Sequence, residues 1–194
     1  MWALLLVVAL VASSCSRKED PNEVAVLDTS YGQIVIGFLP DAAPKNVANF
    51  KSLAREHFYD GTKFHRIVKI ENRTVAVQGG DPNTISGDPA SWGQGQPGQK
   101  KVMGEFSKTL KHGPGIVSMA RVTNDPNSAT SQFFICTAPN PQWDGQYSIF
   151  GKVIEGMNVV ETISRAPTTK NGSMPLDPVV LKSVRIVKRQ EIGL

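Results

Sequence analysis

The sequence predicts a mainly β fold, a closed eight-stranded antiparallel β-barrel that is capped by two α-helices. Three observations favour this class: eight short apolar stretches are typical of strands, glycine-rich turns separate them, and only two stretches show helical spacing. A chain of 194 residues, with 40% hydrophobic and 20% charged residues, suits one folded domain. We expect this domain to cover residues 24–190.

The first two predicted strands form a hairpin. Residues 24–29 and 33–39 alternate as strands do, and Ser30-Tyr31-Gly32 supplies a turn between them. The remaining strands are predicted from their short apolar runs at 62–68, 75–79, 115–120, 132–137, 148–153 and 179–188.

Two stretches have the spacing of amphipathic helices. Residues 43–54 place Val47 and Phe50 on one face, and a second helix fits residues 157–164. Residues 79–99 are rich in Gly, Pro, Asp, Asn and Ser, which indicates a long surface loop. This loop is a candidate wall of a binding groove.

The N-terminus has the pattern of a leader sequence. Residues 2–12 are an unbroken apolar run that is too short to cross a bilayer core of about 30 Å as a helix. The segment Ala12-Ser13-Ser14-Cys15 resembles the lipobox of bacterial lipoproteins, which implies a signal peptide at 1–14 and a lipid on Cys15. Residues 15–23 are then the lipidated N-terminus and a polar tether.

The lipobox resemblance implies an exported, membrane-anchored lipoprotein that faces the periplasm or the cell exterior. The alternative is a plain secretory leader in which Cys15 is incidental. Either interpretation places the domain outside the cytoplasm.

Several other function classes are not indicated. The net charge of +4 comes from dispersed lysines and arginines, so no nucleic-acid partner is expected. The three histidines show no ligand spacing with the two cysteines, so no metal site is expected. Cys136 lies in an apolar run and is predicted to be a buried side chain rather than a nucleophile. Residues 93–98 match GxGxxG but follow no strand, which favours a loop.

Five motifs resemble those of the cyclophilin-type peptidyl-prolyl cis/trans isomerases, in the same order. They are FHRIV at 64–68, QGGD at 78–81, GPGIVSMA at 113–120, SQFFICT at 131–137 and FGKV at 150–153. The resemblance covers residues 24 to about 190. It implies a barrel closed by two helices, with a peptide groove on its outer face.

Site residues follow from the resemblance, motif by motif. Arg66 matches the catalytic arginine, and Gln78 is implied as a catalytic residue that either orients Arg66 or binds the substrate backbone. The resemblance and its neighbouring positions also imply substrate-binding residues at Phe134, Gln132, Ala120, Gly87, Val75, Ala76, Trp143 and Tyr147.

The chain departs from the family pattern at several of these positions. Val75 and Ala76 stand where the family commonly has Phe-Met, so one pocket wall is expected to be smaller. The segment between Val68 and Val75 is longer than in typical members. Trp143 is displaced by one place, which puts cyclosporin sensitivity in doubt, and Tyr147 replaces a His found in some members.

The implied reaction is rotation about Xaa-Pro bonds, which needs no cofactor because no bond to another atom is made. The expected partners are proline-containing polypeptide segments and, through Cys15, a membrane; a monomer is expected. The alternative function is a non-catalytic chaperone or scaffold that binds proline-containing segments.

Overall fold

A computed structural model describes residues 20–169 and 172–194, in which antiparallel strands and a few helices form a mainly β domain. The strands are β1 Glu23–Thr29, β2 Gly32–Phe38, β3 Arg66–Ile70, β4 Arg73–Gly79, β5 Ile116–Met119, β6 Phe133–Cys136, β7 Ile149–Glu155 and β8 Leu181–Lys188. The helices are α1 Pro44–Arg55, α2 Asn83–Ser86 and α3 Met157–Ser164, with short 3₁₀ helices at Pro89–Ser91, Pro141–Trp143 and Arg189–Ile192. The predicted strands and both predicted helices are present; α2 was not predicted.

The sheet is open, which corrects the prediction of a closed barrel. Its strand order is β3-β4-β6-β5-β7-β2-β1-β8, so β3 and β8 are edges. The chain segments before these two strands meet at one isolated bridge, between Lys63 and Val180. The outer side of β3 is instead taken by a loop, because Ile67 N–H donates to Ser173 O at 2.7 Å. The third strand accordingly begins at Arg66 rather than at Thr62.

The core lies between the concave face of the sheet and helices α1 and α3. Phe50 of α1 is fully buried, and its ring centroid lies 4.9 Å from that of Tyr59 and 5.1 Å from that of Phe150. Val160 and Ile163 of α3 are also fully buried. Burial of a large apolar side chain stabilises a fold by about 1.5–3 kcal/mol, so the predicted apolar faces of the helices hold them against the sheet.

The predicted hairpin between β1 and β2 has a two-residue loop, since Thr29 pairs with Gly32. Gly32 has φ 127°, and the Thr29 hydroxyl donates to Gly32 O at 2.6 Å. A side chain at Gly32 would be strained in this backbone conformation, so the glycine fixes the turn.

The hairpin between β3 and β4 contains the segment from Val68 to Val75, which the sequence comparison indicated to be longer than usual. Glu71 and Asn72 form its tip, with φ 49° and φ 63°, a pair of left-handed residues that matches the twist of a tight hairpin. Val68 pairs with Ala76 but Lys69 pairs with Thr74, so Val75 is the extra residue of a β-bulge. The bulge lies next to the pairing of Arg66 with Gln78.

The predicted signal peptide at 1–14 and Cys15 lie outside the described residues, as do residues 16–19 of the tether. Glu23, the last tether residue, belongs to β1. Its carboxylate lies 2.9 Å from the nearly buried Lys51 Nζ and 2.8 Å from Arg55 Nη2, both on α1. These ion pairs hold the pKa of Glu23 below its ordinary value, against the raising effect of burial. Among the helices of the described ranges, none has both the length and the apolar character needed to span a membrane.

Candidate active site

A chain of side-chain hydrogen bonds joins Arg66 to the loop that follows β4. Arg66 Nη1 donates to Gln78 Oε1 at 3.4 Å, and Gln78 Nε2 donates to Gln132 Oε1 at 2.9 Å. Gln132 Nε2 donates in turn to Gly93 O at 3.1 Å. The side-chain amide of Gln132 fixes the orientation of the Gln78 amide, and this orientation directs the oxygen of Gln78 at the guanidinium of Arg66. Arg66 is exposed, and a guanidinium carries further N–H donors that a ligand can engage.

Phe134 lies at the centre of an apolar cluster with Trp143 and Tyr147 beside this chain, called the apolar pocket below, with Phe134 as its floor. It is the cross-strand partner of Gln78, and only 4% of its surface is exposed. The ring centroids of Trp143 and Tyr147 lie 4.9 Å and 5.4 Å from that of Phe134, with their planes inclined at 65° and 88°. Three aromatic rings in edge contact make a rigid apolar surface that suits a compact aliphatic ring.

A buried polar network lies against the floor. The ring of His112 is nearly parallel to that of Phe134, with centroids 6.1 Å apart. Hydrogen bonds join His112 Nδ1 to Asp144 Oδ1 at 3.1 Å and His112 Nε2 to Ser118 Oγ at 3.0 Å. The backbone N–H of His112 also donates to Asp144 Oδ1 at 2.8 Å. Both ring nitrogens are thus engaged, which fixes the ring against Phe134.

The protonation states in this network follow from burial and hydrogen bonding. Burial lowers the pKa of His112 below its ordinary value of 6.5, although Asp144 acts in the opposite direction. The pKa of Asp144 is also lowered, first by the backbone N–H of His112. At neutral pH the network therefore consists of a neutral imidazole between a carboxylate and a hydroxyl.

Ser118, His112 and Asp144 are joined by hydrogen bonds of the same lengths as those in the Ser-His-Asp catalytic triad of hydrolases. Ser118 is fully buried and is the cross-strand partner of Phe134 in β6. Its hydroxyl therefore has no access to a substrate, and the network is a support for the floor. Sequence reasoning missed it; the signal was that Ser118 is the one polar residue between the apolar residues of β5.

A second, polar groove adjoins the apolar pocket. It has a volume of about 460 Å³, and Gln78, Ala120 and Gln132 line it on the side of the pocket. Residues 93–99 form the opposite wall. Ala120 also packs against the cluster of Ala76, Phe134 and Cys136, so the groove begins directly beside this cluster.

The buried carboxylate of Asp81 holds the wall loop in place. Asp81 Oδ1 accepts from Asn83 N at 3.1 Å, and Oδ2 accepts from the backbone N–H groups of Gly93 and Gly95. The glycines at 93, 95 and 98 all have positive φ, between 70° and 84°. The GxGxxG string is thus a loop that closes on Asp81, as its sequence context indicated.

The structure brings most of the predicted site residues together. Gln78, Gln132 and Ala120 line the groove, Phe134, Trp143 and Tyr147 form the apolar cluster, and Arg66 is joined to both through Gln78. Val75 is fully buried at the bulge and lies outside the pocket cluster, and Ala76 is fully buried behind Phe134. Neither presents surface to a ligand.

Gly87 also lies away from the groove lining. Its N–H donates to Asn83 O at 2.8 Å, and its oxygen accepts from Trp92 Nε1 at 3.1 Å. A Cβ at this position would lie 2.6 Å from Asn83 O. The glycine is therefore explained by the close turn that ends α2.

The second cysteine is not a nucleophile. Cys136 is fully buried, and burial raises the pKa of its thiol to about 12. The reactive species of a cysteine is the thiolate, which is absent here at neutral pH.

Comparisons with known proteins agree with this arrangement. The family model described as "Cyclophilin type peptidyl-prolyl cis-trans isomerase/CLD" matches residues 24–188. The chain is 38% identical to peptidyl-prolyl cis-trans isomerase-like 1 of Rhizopus delemar over 86% of this chain and 94% of that protein. It is 35% identical to a probable peptidyl-prolyl cis-trans isomerase of Brucella abortus, over 93% and 91% of the two chains.

Solved structures show the same likeness. A cyclophilin-type isomerase of Cryptosporidium parvum, determined in the presence of the dipeptide Ala-Pro, superposes with a TM-score of 0.73 at 31% identity, covering 86% of this chain and 99% of that one. The chain belongs to the cyclophilin family. It is an enzyme, a peptidyl-prolyl cis-trans isomerase.

Proposed function

We propose that this isomerase acts on proline-containing segments of exported proteins, from a lipid anchor on Cys15, with Arg66 as its catalytic donor. The observation that carries the assignment of Arg66 is its position beside the Phe134 pocket, with its guanidinium hydrogen-bonded to Gln78. A proline ring that packs on Phe134 would lie next to this guanidinium, because Gln78 is bonded to Arg66 and is the cross-strand partner of Phe134.

The chemistry follows from the electronic structure of the amide. Rotation about an Xaa-Pro bond breaks amide resonance, and the uncatalysed barrier is about 18–20 kcal/mol. A catalyst need only bind the twisted amide more tightly than either planar form. As the amide twists, the prolyl nitrogen gains a localised lone pair, which Arg66 meets with an N–H donor.

Gln78 has a positioning role in this proposal. Its oxygen accepts from Arg66, while its Nε2 is held by Gln132. The guanidinium is thus aligned before the substrate arrives, so less conformational freedom is lost when the amide twists. Phe134, Trp143 and Tyr147 hold the proline ring while the other half of the amide rotates.

The cellular part of the proposal rests on the sequence of the N-terminus. Residues 2–12 are apolar, and Cys15 follows small residues as in a lipobox. A lipid on Cys15 would place the domain on the same side of the membrane as newly exported chains. Slow Xaa-Pro rotation limits the folding of many proteins, so an isomerase placed there would act on exported chains that have yet to fold.

The test of the catalytic assignment compares the full chain, in mild detergent, with its Arg66→Ala and Arg73→Ala variants. Arg73 is an exposed arginine of the same hairpin that donates to Pro139 O, so it is a matched control. We expect Arg66→Ala to lower kcat/KM for an Ala-Pro peptide about 100-fold or more, as loss of an electrostatic donor does in other enzymes. Arg73→Ala should retain the parent rate. Exchange NMR measures the rotation directly.

Peptide binding, measured in the same samples, distinguishes loss of catalysis from an incorrect choice of catalytic residue. Binding without acceleration by the parent would contradict the catalytic proposal and favour the binding-only chaperone or scaffold. Equal rates for the parent and Arg66→Ala would leave an isomerase whose donor is another residue.

A further inference from the structure

The polar groove has no part in the mechanism above, yet it begins where the proline pocket ends. Ala120 lines the groove and also packs against the Phe134 cluster. An extended peptide advances about 3.3 Å per residue, so a side chain one to three residues from the proline reaches the groove. The lining of the groove therefore bears on which sequences around the proline are preferred.

The groove carries two cationic side chains, Lys101 and Arg121. Within the described part of the chain, its lining includes no Asp or Glu. Two carboxylates lie close by: Asp81 is fully buried behind the loop wall and is engaged by backbone N–H groups, and Asp125 is exposed beside Lys101. The surface that a peptide meets is thus positively charged.

The two cations differ in how they are held. The guanidinium of Arg121 lies 4.7 Å from the centroid of the Tyr147 ring, and it donates to the backbone oxygens of Gln146, Val122 and Thr123. It is a fixed positive charge between the proline pocket and the groove.

Lys101, in contrast, is 64% exposed, and its Nζ lies 3.2 Å from Asp125 Oδ2. Asp125 is itself 44% exposed and keeps a backbone donor, Asn127 N–H, at 3.0 Å. Exposed ion pairs of this kind are weak, so a carboxylate that enters the groove can replace Asp125 as the partner of Lys101.

We propose that this groove selects clients with an acidic side chain near the proline, with Lys101 and Arg121 as specificity-determining residues and Asp125 as the carboxylate that the client displaces. This inference rests on the proposed function, because it assumes that the peptide lies across Arg66 and Phe134.

The experiment uses the full chain in mild detergent and short peptides with Glu, Gln or Lys at each of the three positions on either side of the proline. At the position that reaches the groove, we expect kcat/KM for the Glu peptide to exceed that for the Gln peptide about three- to fivefold, as one exposed charge pair provides. The Lys peptide should be slower than the Gln peptide. The preference should shrink at high salt, since these charges are exposed.

Two variants must change the Glu-to-Gln ratio in opposite directions. Lys101→Gln should lower it towards one, whereas Asp125→Asn should raise it, because Lys101 then has no competing carboxylate. Lys182→Gln, on an exposed position of β8, is the matched control and should leave both the ratio and the rate unchanged.

Equal rates for Glu, Gln and Lys peptides at every position would overturn the proposal, as would a parallel change in Lys101→Gln and Asp125→Asn. A best rate with Gln would also overturn it, in favour of a neutral polar preference. The Ala-Pro peptide is the reference: if it is not accelerated either, the proposed function has failed rather than the specificity.

Discussion

At the scale of single residues, the site combines an exposed cation with a buried support. Arg66 is exposed, and Gln78 and Gln132 hold it through two amides. The floor, Phe134, lies against His112, whose two ring nitrogens are bound. Arg66, Gln78 and Gln132 were predicted from motifs, because the family resemblance marks the residues that bind substrate. The network of His112, Ser118 and Asp144 was not predicted, because these residues lie in different segments of the chain and come together only in the folded protein.

Buried histidines make the stability of this protein depend on pH. Burial lowers the pKa of His112 and that of His65, whose Nε2 is buried without a hydrogen-bond partner among the described residues. A histidine with a lowered pKa binds fewer protons folded than unfolded. Its stabilising contribution is therefore complete above the ordinary pKa of 6.5 and is lost as pH falls through that value towards the folded pKa.

We expect the free energy of unfolding to decrease between pH 7 and pH 5, as measured by urea denaturation. His65→Gln and His112→Gln should each reduce this slope, since glutamine does not titrate in that range. Each variant is compared with the parent at every pH, so a constant loss of stability does not affect the result. An unchanged slope in both variants would contradict this assignment.

At the scale of elements, hydrophobic patterning predicted the strands, α1 and α3 well, because each has an apolar face over the core. It failed where pairing between distant segments decides the structure. The predicted strand at 62–68 begins at Arg66, since residues 61–64 bond to residues 179–181. The bulge at Val75, within the β3–β4 hairpin, and the gap between the edge strands β3 and β8 depend on strand register and pairing, which hydrophobic patterning does not report. The α2 turn is too short to show a helical period.

One glycine joins two elements at close range. Gly156 is the N-cap of α3, with φ 83°, where the chain leaves β7 and passes over β2. A Cβ at this position would overlap the backbone oxygen of Gln33. Neither backbone can yield without breaking the pairing of β2 with β7.

Gly156→Ala should therefore destabilise the fold by about 2–5 kcal/mol, from backbone strain and overpacking together. Gly98→Ala separates the two causes, because Gly98 has φ 82° but its Cβ would meet no described heavy atom within 4 Å. We expect it to cost about 1–2 kcal/mol. Denaturant unfolding measures both; equal losses would show that the contact with Gln33 contributes nothing.

At the scale of the whole molecule, the first strand begins at Glu23, the last residue of the predicted tether. Glu23 pairs β1 to α1 through Lys51 and Arg55, so the fold is fastened at its first strand residue. A force applied to the N-terminus would have to break the ion pairs of Glu23 and the hydrogen bonds of β1 with β2 and β8. These contacts fix the first strand residue to α1 and to the sheet.

The anchor is tested by expressing the full chain and its Cys15→Ser variant in a bacterium that processes lipoproteins. We expect the parent to partition into detergent and to incorporate labelled fatty acid, since a lipidated cysteine binds membranes. The variant should lose the label. If the parent carries no label and both forms are found in the aqueous fraction, the plain secretory leader is favoured and Cys15 is incidental.

The gap between the edge strands β3 and β8 places the two halves of the site on strands with different support. Phe134 lies on β6, which is paired on both sides, by β4 and β5. Arg66 begins β3, an edge strand whose outer side is held by a loop contact at Ile67. A small displacement of the donor disturbs few hydrogen bonds, whereas a displacement of the floor disturbs the middle of the sheet. The floor is therefore the more constrained of the two, and the alignment of the arginine depends on its amide partners Gln78 and Gln132 rather than on the edge strand.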